Sequence, residues 1–307
     1  MADRADGQEV RVEVDGRTLT LSNLGKVLYP DGTTKGEVLH YYAQVAPVLL
    51  PLLRDRAVTR IRWPHGTADK SFFEKNAPQG APSWLRTAEV PTSGSRGESR
   101  YGDRILFPIV ESLADLTYLG NLAALELHVH QWKVDEDGQP LNPDRMVIDL
   151  DPGHPAGLHE CAQVALLVRE RLSALGLPAA PVTSGSKGLH LYAPMPGDLT
   201  ADQVREAAKQ IAEALQKEHP GLVLSQMTKA KRPGKVFLDW SQNTGSKTTI
   251  SPYSLRGTAS PYVAAPRTWE EVEEGAEELG DLVQLTMTQV LDRVEEHGDL
   301  FTELLEV

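Results

Sequence analysis

The chain has a single cysteine, Cys161, among 307 residues. An intramolecular disulfide and a thiolate metal cluster are therefore excluded, and the place of Cys161 in the helical apolar pattern from Leu158 to Leu175 predicts a small core residue. No apolar run reaches the roughly 18 residues of a membrane span. The opening Met-Ala-Asp-Arg-Ala-Asp-Gly-Gln-Glu lacks the apolar centre of a signal peptide, so a cytoplasmic protein with no membrane partner is expected. A Walker A loop is missing as well. So is an excess of positive charge, the formal net charge being −12. That deficit is local, because Glu270 to Val307 holds 13 acidic residues against the single Arg293, whereas residues 1–269 balance at 30 and 30. Basic clusters at Arg54/Arg56/Arg60/Arg62 and Lys229/Lys231/Arg232/Lys235 leave room for a nucleic-acid groove. With 40% hydrophobic residues, the chain can bury the core of one large domain or two subdomains.

What is present centres on Met146-Val147-Ile148-Asp149-Leu150-Asp151, closed by Pro152-Gly153. On a strand, Asp149 and Asp151 share one face while Ile148 and Leu150 face a core. Two anions held that close favour a cation between them, and a hard divalent ion such as Mg²⁺ or Mn²⁺ prefers such oxygen ligands. The plainer reading of Asp-x-Asp at a strand end is a turn with solvated acids. A third acid, Asp239, interrupts the apolar run Val236-Phe237-Leu238-Asp239-Trp240, where a lone carboxylate is costly to bury unless paired or metal-bound. Ser184-Gly185-Ser186-Lys187-Gly188 separates the strands Ala180 to Thr183 and Leu189 to Ala193. Its small residues would let backbone N–H groups approach phosphate oxygens, with serine hydroxyls and Lys187 adding donors and charge, although Ser-Gly turns are common in hairpins.

Around this centre the chain reads as follows. A type I′ hairpin spans Glu9 to Leu21 about Asp15-Gly16. Thr34-x-x-Glu37 caps a helix carrying Val38, Tyr41, Tyr42 and Val45, which Pro47 and Pro51 should end or kink. Lys26 and Lys35 flank its entry, read plainly as solvated lysines. Ala57 to Trp63 is a strand, and Lys70 to Asn76 a polar loop whose adjacent Phe72 and Phe73 cannot both face one core, so one is left either to stack on a base or simply to anchor the loop. Pro91 to Gly102 should be mobile. Leu113 to Ala124 is helical, and Leu125 to Trp132 alternates, placing Glu126, His128 and His130 on one polar face. With no cysteine and no His-Glu-x-x-His helix nearby, those histidines are not expected to bind zinc. Thr200 caps a further helix, Leu222 to Leu224 forms a short strand, Arg256 follows a rigid Ser-Pro turn, and two helices close the acidic segment from Thr268.

Three stretches in order, Val147 to Pro152, Ser184 to His190 and Leu238 to Asn243, resemble the polymerase domain of bacterial ligase D, a primase-polymerase of the archaeo-eukaryotic primase superfamily. Ser251 to Arg256 and Leu24 to Pro30 match the same family, so the likeness covers nearly the whole chain. It implies an α/β fold with a mixed or antiparallel catalytic sheet, flanking helices and an N-terminal α/β unit. Residues 1–110 would contribute to DNA binding, 111–267 would form the catalytic part, and 268–307 the acidic helices. The resemblance makes Asp149, Asp151 and Asp239 the ligands of two Mn²⁺ or Mg²⁺ ions. Ser184, Lys187, His190, Gln242 and Arg256 become the nucleotide triphosphate site, and His128 an active-site histidine. Lys26 and Lys35 become a pocket for the 5′-phosphate of a broken DNA end, to which the helix N-terminus at Lys35 would add N–H donors, and Phe72 and Phe73 the stack on the template. The implied activity is template-directed addition of nucleotides, preferably ribonucleotides, at gaps and double-strand breaks in non-homologous end joining. Nucleoside triphosphates, a Ku-type end-binding protein and a DNA ligase are the implied partners, in a bacterial, nucleoid-associated setting. No ligase motif and no nuclease region lies within the 307 residues, so a free-standing polymerase or an excised domain is expected. A non-catalytic DNA-end-binding module and a metal-dependent phosphoesterase are the rival readings.

Overall fold

The computed structural model describes residues 9–91 and 104–305. Most of the stretch expected to be mobile, 92–102, lies outside the described residues. The aspartate strand, Arg145–Pro152, is central in a six-stranded sheet. It pairs antiparallel with Leu189–Pro194 on one side and Val236–Asp239 on the other. Ala180–Thr183 and Ala265–Pro266 extend the first side antiparallel, and Val223–Leu224 joins the far edge in parallel, so the sheet is mixed.

The period-two pattern of the aspartate strand divides the molecule. Met146, Ile148 and Leu150 face one core with Cys161, Val164, Val168, Val204, Ile211, Leu215 and Val272. These come from the helices Leu158–Ala174, Ala201–Glu218 and Trp269–Glu277, which layer on that face. Cys161 is fully buried there, its Sγ 3.6 Å from the Leu150 carbonyl, as its helical context predicts. On the opposite face Val147, Val182 and Tyr192 join a second core with Val58, Leu125, Leu127 and Val129. That core belongs to a four-stranded antiparallel sheet in the order Thr249–Ile250, Ala124–Val129, Val58–Arg62, Phe72–Glu74. The site lies where the odd-numbered face of the first sheet runs past this shared core. The second core continues from Leu28 to Phe301, so the N-terminal and acidic C-terminal stretches pack into it.

Several expectations change. The helix Lys35–Leu53 does not end at Pro47 or Pro51 but continues past both. Each proline costs about 3 kcal/mol in a helix interior. Val45, Val48, Leu49 and Leu53 are all buried around them, and each such side chain gains about 1.5–3 kcal/mol, enough to offset the lost hydrogen bonds. Phe72 and Phe73 stand on an edge strand, Phe72–Glu74, rather than a loop. The strand expected to reach Trp132 stops at Val129, and Trp132–Val134 pairs with Pro140–Pro143 in a separate ribbon. The acidic segment forms three helices, Trp269–Glu277, Met287–His297 and Leu300–Glu303, not two. The opening hairpin follows the sequence closely, with Asp15 at φ 50° and Gly16 at φ 69° as a type I′ turn requires. Among the described residues no helix is long and apolar enough to cross a membrane.

Candidate active site

Register assembles the carboxylates. Asp149 lies directly opposite Asp239 on one neighbouring strand and opposite His190 on the other. Opposed residues of antiparallel strands share a face, with Cβ atoms about 5 Å apart. Asp239, Asp149 and His190 thus form one row across three strands, and Asp151 stands two residues further on the same face. His190 Nε2 is 3.3 Å from Asp149 Oδ1. The Gln242 amide donates toward both facing carboxylates, 3.4 Å to Asp149 and 3.2 Å to Asp239. Burial alone would raise the Asp149 carboxyl, but the charge and hydrogen bond of His190, the charge of Arg256 and the Gln242 amide outweigh it and hold the group below the usual carboxylate range.

Each carboxylate also has a cation of its own. Asp151 meets Arg232 at 2.6 Å and Lys187 at 3.1 Å. The Arg232 guanidinium lies 4.2 Å above the ring of Phe237. Asp239 meets Lys247 at 3.7 Å and accepts from the backbone and hydroxyl of Ser241. Among the described residues no three His, Cys, Asp or Glu side chains converge on one ligating point. The donor set nevertheless fits a hard cation. Three carboxylates share one face, two of them opposed with a single amide donor between them, and Lys187, Arg232, Lys247 and His190 occupy the positions that counter-charge demands. The crowding expected to make these acids repel one another is offset by those cations.

The turn after Thr183 is built differently from a cradle of free N–H groups. Ser184 is buried, and its Oγ accepts from the N–H groups of Ser186 at 3.3 Å and Gly188 at 3.1 Å. The Gly185 N–H donates to Gln284 Oε1 at 2.7 Å. The N–H groups of Gly185, Ser186 and Gly188 are thus paired within the fold. The glycines serve close packing instead: a Cβ on Gly185 would fall 2.7 Å from Arg256 Cγ, and one on Gly188 only 2.2 Å from the Leu150 carbonyl oxygen. Lys187 projects into solvent, its side chain 67% exposed, and supplies the mobile charge.

Across the cleft, the second sheet contributes Glu126 and His128. Arg256 bridges the two sheets, with Nε donating to the Ser184 carbonyl at 2.8 Å and Nη1 to Glu126 Oε2 at 3.1 Å. His128 Nε2 lies 2.7 Å from the same Glu126 oxygen, and the Gly257 N–H donates to Oε1 at 3.0 Å. Burial would raise the Glu126 carboxyl, yet His128, Arg256 and Gly257 bring it down to about 2. Burial lowers His128, against the pull of Glu126. The expected polar face is therefore interior. His130 does not share it, since it stacks on Trp132 at 4.2 Å with Nδ1 3.2 Å from the Ala57 carbonyl, and burial drops it to about 3.

Elsewhere the sequence expectations divide. Lys35 is no solvated lysine, being 4% exposed with Nζ 2.5 Å from the Ser22 carbonyl. Burial, and secondarily the charge of Lys26, bring it down to about 8. The helix end adds no donors: the N–H groups of Lys35 and Gly36 bond the Lys26 and Leu24 carbonyls, and that of Glu37 bonds Thr34 Oγ1. Phe72 and Phe73 are exposed at 42% and 59%. The first arginine cluster is not a free basic patch, because Arg56 pairs with Asp144 and both Arg60 and Arg62 pair with Glu74. Glu126, Arg232 and Lys247 were not singled out by sequence. Arg232 had a signal in its basic cluster and Glu126 in its strand alternation; Lys247 had none.

Comparison with known proteins agrees with this arrangement. Residues 34–301 match the family model described as LigD, primase-polymerase domain. The multifunctional non-homologous end joining DNA repair protein LigD of Mycobacterium tuberculosis (strain ATCC 25618 / H37Rv) is 47% identical over 292 residues, 93% of this chain and 37% of that protein. The bifunctional non-homologous end joining protein LigD of Bacillus subtilis (strain 168) is 32% identical over 282 residues, 91% of this chain and 43% of that protein. The chain thus spans less than half the length of these relatives. A solved structure, the polymerase domain from Mycobacterium tuberculosis ligase D in complex with DNA, superposes with a TM-score of 0.85 at 45% identity, covering 93% of this chain and 97% of that one. A match that runs through the aspartate strands, the lysine turn and the arginine loop alike makes this chain a member of the LigD primase-polymerase domain family, a metal-dependent nucleotidyltransferase.

Proposed function

We propose that this domain extends primer 3′ ends at gaps and broken DNA ends in non-homologous end joining, preferring ribonucleotides. The observation that carries the reading is the row Asp239, Asp149, His190, flanked by Asp151 and by cations from both sheets. Asp149, Asp151 and Asp239 would hold two Mn²⁺ or Mg²⁺ ions, which supply the Lewis acidity that lowers the pKa of the 3′-hydroxyl and neutralises charge on the departing pyrophosphate. For the chain's own groups the roles follow from position. Lys187, exposed at the turn beside Asp151, and Arg256, on the loop that meets Glu126, take the triphosphate. Ser184 shapes the turn, while His190 and Gln242 orient the carboxylates and His128 lines the opposite wall.

Lys26 and Lys35 would receive a downstream 5′-phosphate, and the exposed Phe72 and Phe73 would stack on the template. The part up to residue 110 would face DNA, 111–267 would carry the chemistry, and 268–307 would present an acidic outer surface. A Ku-type protein and a ligase would act beside it at the bacterial nucleoid. The test is extension of a labelled primer on gapped DNA with Mn²⁺ and each nucleotide class. Ribonucleotide addition that requires metal and improves with a downstream 5′-phosphate is expected; absence of any templated addition overturns the reading.

A further inference from the structure

Glu126 touches none of the aspartates, yet it contacts two groups on the nucleotide side of the cleft. It is 5% exposed and its carboxylate receives three donors: His128 Nε2, Arg256 Nη1 and the Gly257 N–H. Other groups already anchor the backbone of the arginine loop. Tyr29 donates its hydroxyl to the Arg256 carbonyl at 2.8 Å, and Gly257 is pressed on Trp63 so closely that a Cβ would fall 2.2 Å from the indole. Beyond its own bond to the Gly257 N–H, what Glu126 sets is the side chain. The Arg256 guanidinium is gripped at two points, Nε by the Ser184 carbonyl and Nη1 by Glu126, and two points define its plane. Because a carboxylate only accepts, Nε2 of His128 must carry the proton shared with Glu126, which turns Nδ1 to the other edge of the ring.

We propose that Glu126 is a positioning residue for the incoming nucleoside triphosphate, holding Arg256 and His128 as a preset pair so that their free edges meet the phosphates without prior rearrangement. It acts through them and makes no contact with the nucleotide. The proposal rests on the reading of Arg256 as a triphosphate contact. Its energetic basis is preorganisation. A long guanidinium side chain left unpaired has many rotamers, and ordering it would be charged against nucleotide binding.

The test compares wild type, Glu126→Gln, Arg256→Ala and the double variant by nucleotide titration and by steady-state gap extension. Glu126→Gln keeps the shape and an acceptor but loses the charge. Nucleotide KM should rise about tenfold with kcat little changed, the signature of lost uniform binding. The double variant should lose less than the two single losses multiplied, because the Arg256 contact is counted in both and only the hold on His128 is left to lose. Unchanged KM in Glu126→Gln beside an impaired Arg256→Ala overturns the inference and leaves the reading beneath it standing. A lowered KM, or losses that multiply in the double variant, overturns it as well. Wild-type nucleotide affinity in Arg256→Ala overturns the underlying reading instead. If Glu126→Gln melts below the assay temperature, Glu126→Asp takes its place: the charge stays and the carboxylate retracts by one methylene, so an intermediate rise in KM supports the proposal and a wild-type KM overturns it.

Discussion

Arg60 and Lys187 each place one positive charge beside a carboxylate, and the two pairs have little else in common. Arg60 is fully buried, bonds Glu74 and the Asn76 carbonyl, and joins two strands of the second sheet. Lys187 is two-thirds exposed on a turn, against an acid that is itself half-buried. Arg56 and Arg62 resemble Arg60, whereas Arg232 and Lys247 resemble Lys187 in facing the aspartates. A cation with nothing to exchange for is part of the framework. A cation resting on a carboxylate that a metal would claim is displaceable. Clusters of arginine and lysine that look alike in sequence are separated by whether their counter-ions have another use.

The sharpest way to break the comparison is to remove the acids. Asp149→Ala, Asp151→Ala or Asp239→Ala should each abolish primer extension even at saturating Mn²⁺. Their melting temperatures should stay within a few degrees of wild type, because each loses an exchangeable partner at the cleft rather than a core side chain. More than a small residual fraction of extension in any of the three removes that residue from the triad. Next, Arg60→Ala should cost about 3 kcal/mol in denaturant unfolding, as expected when one partner of a buried pair is lost. Its extension activity should recover at lower temperature, where the fold is populated. An unshifted unfolding midpoint would place Arg60 with the displaceable group.

Lys187→Ala is the converse. Unfolding should not change, while nucleotide affinity should drop about 10- to 100-fold through loss of a charge-assisted phosphate contact. Equal titrations for mutant and wild type would take Lys187 out of the triphosphate site.

The smallest expected effect concerns Lys35. Its folded value of about 8 lies below that of an unfolded lysine, so the folded protein binds fewer protons between the two values and stability rises with pH across that window. Charge for a DNA end is lost as pH passes through the folded value. Preference for a 5′-phosphate over a 5′-hydroxyl at a gap should therefore weaken between about pH 7 and pH 9, and Lys35→Ala should abolish that pH dependence. A preference that does not vary with pH places the phosphate elsewhere.

Much of this was legible in the chain because it depends on neighbours in sequence. The alternation around Asp149, the acid in the apolar run at Asp239, the Asp15-Gly16 turn and the Thr34 capping box are local patterns with local causes. What could not be read depends on contacts between distant segments. Glu126 and Arg256 are 130 residues apart, and Arg232 and Asp151 are 81 apart. The helix through Pro47 and Pro51 defied local propensity because burial outweighed it. The turn at Ser184 shows the same limit, since its serines and glycines do not disclose that the N–H groups of Gly185, Ser186 and Gly188 are paired with Gln284 and the Ser184 hydroxyl.

The close approach of Gly188 to the Leu150 carbonyl has a consequence for timing as well as for shape. It locks the turn that carries Lys187 to the strand that carries Asp149 and Asp151, with no room for a side chain between them. The offset between the lysine's backbone and the acids is then a constant of the sheet, set when the protein folds and not when substrate arrives. Adjustment of Lys187 against those acids is left to side-chain rotamers, which move in nanoseconds, rather than to a movement of this turn that would take microseconds or longer.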